Sequence, residues 1–157
     1  MVSRVEEVVA SVVDPELRVV TIADLGILRE VSTDPSTGAV VVTITPTYSG
    51  CPAMDVIRAD IQDALARAGH PRSEVRTVLH PAWSTDMITP AGRDKLAAAG
   101  TAPPGPSTTP VLLRLTARCP RCGSPDTEEL SHFGSTPCKA LWRCRACAEP
   151  FDHVKPL

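Results

Sequence analysis

Two pairs of cysteines lie in the last third of the chain, Cys119-Pro-Arg-Cys122 and Cys144-Arg-Ala-Cys147. Two residues between paired cysteines allow both sulfurs of a tight turn to face one ion, and two such turns complete the tetrahedron that structural Zn²⁺ takes. The segment between the pairs is long enough for a β-hairpin, as in other four-cysteine zinc sites. The spacing therefore predicts a structural zinc site with Cys119, Cys122, Cys144 and Cys147 as ligands.

Two alternatives to zinc remain open for these cysteines. Disulfide bonds need an oxidising compartment, and nothing in the sequence points to one. Iron also accepts four thiolates in a tetrahedron, so ligand type alone does not separate it from zinc. A fifth cysteine of this region, Cys138, belongs to neither pair and is predicted to be a small, buried apolar residue.

The sixth cysteine, Cys51, lies where a predicted strand gives way to a predicted helix, in Tyr48-Ser49-Gly50-Cys51-Pro52. Free amides and the helix dipole at that position stabilise a thiolate and lower its pKa. Inert packing is the alternative, because nucleophilic cysteines need a base and no histidine lies within this turn. A base is available only if the fold brings His70 or His80 close.

The elements that must position these cysteines follow from apolar periodicity and turn residues. We predict a first helix that ends at Asp14-Pro15, strands near Ile27–Ser32 and Val40–Thr45, a helix from Pro52 to Gly69, and a third strand over Glu74–His80. A short helix from Pro90 and a proline-rich linker follow. The fold class is α+β, a small α/β sandwich with helices on a three-stranded sheet, followed by a β-rich zinc ribbon.

The predicted domains are residues 1–99, a linker over residues 100–110, and a ribbon over residues 111–157. In the ribbon we expect strands at Val111–Thr116, Thr127–Phe133, Lys139–Arg143 and Phe151–Val154. Trp142, Phe133 and Phe151 are expected to cover the metal site, and His132 and His153 to be surface or packing residues. Gly123 follows the first cysteine pair, where a positive φ is needed, and Ala148 holds the less comfortable matching position.

Composition excludes several classes of partner for this chain of 157 residues. The net charge of −2 gives no basic footprint for nucleic acid. No apolar run is long enough to span a membrane, and the first residues lack the apolar core of a signal peptide. We therefore expect a cytoplasmic protein that contacts neither nucleic acid nor membrane.

Several motifs in the chain resemble those of known families. Asp14-Pro15-Glu16, Asp24-Leu25-Gly26 and the Cys51 turn resemble the small domain of iron–sulfur cluster assembly factors of the SufT-like type. Three further segments are similar to the PaaD family, phenylacetate-degradation protein D; they are Pro81-Ala82-Trp83-Ser84-Thr85-Asp86-Met87-Ile88-Thr89, Phe133-Gly134-Ser135-Thr136-Pro137-Cys138-Lys139-Ala140-Leu141-Trp142-Arg143-Cys144 and Glu149-Pro150-Phe151-Asp152.

The resemblance implies an accessory protein of aerobic phenylacetate degradation, encoded with the oxygenase that epoxidises phenylacetyl-coenzyme A. Such a protein would assist the maturation of metal or iron–sulfur centres in that oxygenase or its reductase. The family's reactive cysteine matches Cys51, its acidic motif matches Asp14 and Glu16, and Asp24 lies in its second motif. Catalytic residues are not expected, because a di-iron oxygenase needs Glu-x-x-His pairs on helices and none of the predicted helices carries one.

Two main hypotheses follow. In the first, Cys51 binds iron or an iron–sulfur cluster transiently, either alone or paired with a second Cys51 across a homodimer, while the zinc of the tail is structural. Asp14, Glu16 and Asp24 then serve as oxygen ligands for iron or as turn formers. In the second, the four-cysteine site holds iron and the chain is an electron-transfer or structural subunit of the oxygenase complex. A thiol enzyme acting through Cys51 is a third, weaker alternative.

Overall fold

A computed structural model of the chain describes residues 2–48, 50–106 and 116–156, with side chains from Arg4 onward. The chain forms two compact units, residues 1–83 and residues 84–157. This division lies earlier in the chain than the boundary expected at Ala99. No helix within the described residues is long and apolar enough to cross a bilayer.

The first unit is built on a three-stranded sheet in the order β1-β2-β3, with β1 at Leu28–Thr33, β2 at Val40–Ile44 and β3 at Ser73–Thr77. β1 and β2 form an antiparallel hairpin, while β2 and β3 are parallel. A parallel pair needs a long crossover, which helix α2 at Ala53–Arg67 provides. Helix α1 at Val2–Ala10 precedes the sheet. This arrangement confirms the predicted α/β sandwich.

The core of the first unit lies between the sheet and its helices. The central strand β2 is buried at Val40, Val41, Val42 and Ile44, as expected for a strand with neighbours on both edges. Helix α2 buries Ile57, Ile61 and Leu65, which recur at helical spacing as the sequence predicted. Gly69 has a φ of 91° just after this helix and ends it as expected.

Helix α1 ends at Ala10, before the predicted stop at Asp14-Pro15. Asp14 Oδ1 accepts hydrogen bonds from the amides of Glu16 and Leu17, at 2.9 and 2.6 Å. The amide of Asp14 bonds to the carbonyl of Val20, and Val13 forms an antiparallel bridge with Thr21. These turns compete with helical hydrogen bonding, so the helix gives way to a folded loop over residues 11–27.

The second unit contains a 3₁₀ turn at Thr85–Met87, helix α3 at Pro90–Ala98 and a four-stranded sheet in the order β4-β7-β6-β5. β4 is Thr101–Ala102, β5 is Thr127–Ser131, β6 is Lys139–Cys144 and β7 is Pro150–Val154. The hairpin between β5 and β6 and the final strand agree with the predicted ribbon. Residues 107–115, which include most of the predicted first ribbon strand, lie outside the described residues.

Part of the predicted linker belongs to the second unit. β4 pairs in parallel with β7, and Leu96 on α3 is fully buried. Pro103 and Pro104 favour a linker that begins at Gly100, but the pairing of Thr101 and Ala102 depends on a strand much later in the chain. Local composition does not reveal such a pairing.

One small core cluster of the second unit includes two of the paired cysteines. Its buried members are Ala102, Ala117, Cys119, Ala140, Trp142, Cys144 and Phe151, with Cys147 packed against them. Trp142 and Phe151 therefore lie in the core beside the cysteines, as predicted. Phe133 does not, because its side chain is 75% exposed at the end of the β5–β6 hairpin. The expectation that Phe133 covers the site is wrong.

His153 is buried on β7, where its ring lies edge-on to that of Trp142 with the centroids 5.5 Å apart. Burial lowers the pKa of His153 to about 4, so the imidazole is neutral in the folded protein near pH 7. His132, in contrast, is exposed. Of the two roles expected for these histidines, His153 is thus the packing residue and His132 the surface residue.

We expect acid to destabilise the second unit through His153. An unfolded histidine binds its proton near pH 6.5 while the folded one does so near pH 4, so stability is complete above pH 6.5 and falls as the pH drops through this window. The loss should approach about 3 kcal/mol at its lower end. NMR titration of the histidines in the metal-loaded protein would check this, and an imidazole of His153 that titrates near 6.5 would contradict it.

Exchanging the residues that follow the two cysteine turns should change stability in opposite directions. Ala148 has a φ of 64°, the only positive φ of a non-glycine residue within the described ranges. Gly123 has a φ of 74°, and a methyl group added to it would meet nothing within 4 Å. Relief of left-handed strain should make Ala148→Gly stabilising by about 0.5–1 kcal/mol.

The reciprocal variant, Gly123→Ala, should be destabilising by a similar amount, since the left-handed backbone is its only cost. Urea unfolding of the metal-loaded proteins measures both changes. A stabilising Gly123→Ala, or an Ala148→Gly that loses stability, would show that the φ values do not limit these turns.

Candidate metal centre and cysteine turn

The paired cysteines lie on two similar turns that flank the β5–β6 hairpin. Cys119 and Cys122 precede β5, while Cys144 ends β6 and Cys147 lies before β7. In the first turn the amide of Gly123 bonds to the carbonyl of Cys119 at 2.9 Å. In the second the amide of Cys144 bonds to the carbonyl of Glu149 at 2.9 Å. Pairing of the strands therefore brings the two turns together.

The four sulfur atoms have the separation that a tetrahedral ion requires. All four lie within 4.8 Å of one another, and the Sγ–Sγ distances are 3.7 Å for Cys119–Cys147 and 3.6 Å for Cys122–Cys144. Zn–S bonds of about 2.3 Å place tetrahedral sulfurs about 3.8 Å apart. A disulfide needs about 2.0 Å, and all four cysteines are free. The donor set and its spacing fit zinc, and they do not fit two disulfides.

The electrostatics of the quartet favour a bound cation. Burial opposes ionisation of Cys119, but the backbone amides of Cys122 and Arg121 donate to its sulfur and its pKa falls to about 7. The amide of Glu149 favours the thiolate of Cys147, yet burial and the neighbouring cysteines raise the pKa of that thiol to about 12. Without a cation the four groups cannot all be thiolates, because each charge opposes the next.

The quartet is buried on one side only. Cys119 and Cys144 are 2% and 0% exposed, whereas Cys122 is exposed and Cys147 is half-buried. Around the quartet, Arg143 and Arg145 both pair with Glu128, and Arg121 pairs with Glu149. These arginines are thus engaged by carboxylates of the ribbon itself.

Cys51 lies immediately before helix α2, in the first unit. It is half-buried, and its carbonyl accepts a hydrogen bond from the amide of Met54 at 3.2 Å. Pro52 occupies the position before the first helical residue, with φ −66° and ψ −21°. Cys51 therefore lies at the amino end of a 15-residue helix, as the sequence predicted.

Three loops meet at the end of the sheet that leads to Cys51. The carboxyl ends of the parallel strands β2 and β3 share this end of the sheet with the amino end of β1. Thr45, which is fully buried, links them, because its amide bonds to Ile27 O at 2.9 Å and its hydroxyl bonds to Val78 O at 2.8 Å. Trp83 Nε1 adds a bond of 2.7 Å to Leu25 O. The Asp24 motif and the Pro81-Ala82-Trp83 segment are thus fixed at the same end of the sheet.

The acidic residues singled out by the sequence form turns in this structure. Asp14 is 5% exposed and holds the amides of Glu16 and Leu17 as described above. Asp24 Oδ2 accepts from the amide of Thr21, and the amide of Asp24 donates to Thr21 Oγ1, at 2.9 and 3.1 Å. Within the described ranges, the four paired cysteines form the only group of three or more candidate metal ligands. One copy of the chain thus does not gather Cys51 and these acids into a ligand cluster of that kind.

The two histidines considered as partners of Cys51 occupy different places. His70 follows the carboxyl end of α2, which a helix of 15 residues puts about 22 Å from its amino end. His80 is exposed and follows β3, at the end of the sheet that also leads to Cys51. The fold therefore excludes His70 as a base for Cys51, whereas His80 lies at the same end of the sheet as Cys51.

Sequence reasoning missed Thr45 and the indole of Trp83, whose hydrogen bonds hold the loops together at this end of the sheet. Strict alternation places Thr45 with Val41 on the second face of the predicted strand Val40–Thr45. Both side chains are nevertheless buried, as on the other face of this central strand. A run of apolar residues without a polar face is the signal that points to such a strand. The bond of Trp83 to Leu25 joins distant segments and has no local signal.

Two family models match separate parts of the chain. Residues 3–79 match a model described as iron–sulfur cluster assembly protein, and residues 103–155 match one described as PaaD zinc beta ribbon domain. Among solved structures, a domain of unknown function, DUF59, from Bacillus anthracis has a TM-score of 0.55 and 29% identity, covering 60% of this chain and 90% of its own. The first unit therefore has the fold of that domain.

Two curated relatives extend this comparison. The chain is 37% identical over 78 residues to the Fe-S protein maturation auxiliary factor YitW of Bacillus subtilis, covering 49% of this chain and 74% of that protein. It is 46% identical over 142 residues to an Escherichia coli protein named as one of the subunits of 1,2-phenylacetyl-CoA epoxidase, covering 90% of this chain and 85% of that protein. The chain therefore belongs to the PaaD family, in which an iron–sulfur cluster assembly domain is joined to a zinc β-ribbon.

Proposed function

We propose that this chain is a maturation factor that assists assembly of an iron–sulfur or other metal centre in phenylacetyl-CoA epoxidase or its reductase. The observation that carries the proposal is the division of thiols between the two units. Four cysteines converge on one tetrahedral site in the second unit, while Cys51 belongs to the first unit and lies at a helix start. The names of the two curated relatives supply the client and the kind of chemistry.

The four-cysteine site is assigned a structural zinc ion. Its residues would each supply a thiolate, and the ion would cancel the mutual repulsion that otherwise keeps some of them protonated. The apolar core beside them is small, so metal binding should contribute much of the folding free energy of the ribbon. We assign the ion no part in chemistry on the client.

Cys51 is assigned the handling of iron or of a cluster, as cargo rather than as a resident cofactor. Its sulfur, at the amino end of α2, is the donor that such binding needs. Asp14, Glu16 and Asp24 shape the neighbouring turns, and their carboxylates remain candidate oxygen ligands. Since one chain supplies a single thiolate here, a second copy of Cys51 in a homodimer or a thiolate of the client would complete the ligand set. The free thiols are consistent with a reducing cytoplasm.

An electron-transfer or structural subunit of the oxygenase complex is the second candidate function. The observation in its favour is the exposure of Cys122, because an iron site with one sulfur at the surface can exchange electrons with a docked partner. A four-thiolate iron site is coloured whereas zinc is colourless, so the two candidates differ in a simple absorption spectrum.

Zinc removal should unfold the second unit and leave the first intact. We expect about one zinc per chain, and we expect chelation to remove amide protection from β6 and β7 while β2 stays protected, because only the ribbon depends on the ion. Hydrogen exchange of the full chain before and after chelation measures this. Cys144→Ser should act like chelation, whereas Cys138→Ser is the matched control and should retain zinc. A red protein with reversible reduction would favour the second candidate instead.

Replacement of Cys51 should separate the two metal sites. In protein purified anaerobically, Cys51→Ala is expected to lose bound iron and keep its zinc, since the two thiol sets lie in different units. Elemental analysis beside the wild type and Cys138→Ser gives the comparison, and Cys138→Ser should lose neither metal. Loss of zinc in Cys51→Ala, or unchanged iron, would refute the assignment of Cys51.

A further inference from the structure

The β5–β6 hairpin carries apolar side chains that the second unit leaves exposed. Phe133 is 75% exposed, and Leu130, in the same hairpin, is 50% exposed. A register irregularity between Glu129 and Ser131 leaves Leu130 without a partner residue on β6. Apolar side chains left exposed among polar residues are found on surfaces that bind other proteins.

The backbone that carries Phe133 is held in one shape. Ser131 Oγ donates to Phe133 O at 2.8 Å and accepts from the amide of Phe133 at 3.2 Å. The amide of Gly134 donates to Lys139 O at 2.8 Å, and a Cβ on Gly134 would lie 3.1 Å from that oxygen. A side chain at Gly134 would therefore crowd this close approach, and the ring is presented by an ordered loop. A preordered loop loses little entropy on binding.

A buried polar group fixes the base of the same loop. Lys139 is 9% exposed, and its Nζ lies 3.7 Å from Asp152 Oδ2 and 3.3 Å from Ser135 Oγ. Asp152 is only partly buried, and such an ion pair adds little net stability because desolvation offsets its attraction. Lys139 and Asp152 thus connect the loop to β6 and β7 in a single arrangement.

A positive charge lies beside the exposed ring. Lys155 Nζ is 5.0 Å from the centroid of Phe133, and the amide of Lys155 bonds to Cys138 O at 2.9 Å. Among residues 2–48, 50–106 and 116–156, no acidic group forms an ion pair with Lys155. The carboxylate of Glu129 faces His132 instead, with Oε1 3.5 Å from Nδ1. The ring therefore adjoins a cation whose charge is not neutralised within the described chain.

We propose that Phe133, Leu130 and Lys155 form a docking surface for the client of the proposed function. The client surface that fits them is an apolar pocket whose rim carries carboxylates. Phe133 is the anchor in that pocket, and Lys155 pairs with the rim. A second copy of this chain is the poorer occupant, because two such surfaces in contact would bring two Lys155 cations together. The inference rests on the proposed function only for the identity of the client.

Binding of this chain to the purified oxygenase and reductase components of phenylacetyl-CoA epoxidase tests the surface. With the zinc-loaded full chain, Phe133→Ala should weaken binding to one component by at least about tenfold, as for an aromatic hot spot. Lys155→Gln should weaken it less, and Lys155→Glu more than Lys155→Gln. Added salt should reduce the affinity of the wild type more than that of Lys155→Gln.

The control is Val19→Ser, which removes an apolar side chain that is 47% exposed in the first unit and should leave the affinity unchanged. Zinc content and circular dichroism establish that each variant is folded. Equal affinity of the wild type and Phe133→Ala would overturn the docking surface and leave the maturation function standing. Failure of the wild type to bind either component would overturn the surface, whereas the iron content of Cys51→Ala reports on the maturation function independently.

Discussion

The structure of the second unit depends on one electrostatic constraint, the crowding of four sulfur atoms within a few ångströms. Thiolates at 3.6–3.7 Å repel one another, and backbone amides that point at Cys119 lower its pKa without removing that repulsion. A divalent ion removes it and turns a destabilising cluster into the link between two turns. The strands on either side then need only a small apolar core, of which Trp142 and Phe151 are the largest members.

The first unit is stabilised in a different way, by an apolar core that extends over a sheet and two helices. Cys51 is half-buried and lies at the end of the sheet where Thr45 and Trp83 tie the loops together. Rigid support of a loop by distant segments keeps a functional group in place without enclosing it. The two units therefore differ in their thiols: the second has four cysteines spaced for one ion, and the first has a single half-buried cysteine.

The sequence is sufficient to predict features that depend on local spacing. The cysteine pairs predict their own convergence, Pro90 and Gly69 predict helix ends, and the apolar stripe of α2 predicts its buried face. Features that depend on distant pairing are not predicted. The pairing of Thr101 and Ala102 depends on β7, and the early end of α1 depends on an aspartate turn that competes with the helix. Aromatic residues are usually buried, which favours Phe133 as a cover for the metal, yet here the hairpin turns it to solvent.

The pairing of β4 with β7 has a practical consequence for dividing the chain. A fragment that starts after the proline-rich segment would lack the strand that covers one side of β7, and it would also lack the helix whose Leu96 is buried in the same unit. Uncovered strands recruit other strands, so such a fragment invites aggregation through its exposed edge. Excision at Ser84 would instead keep the hydrogen-bonding partners of the sheet together.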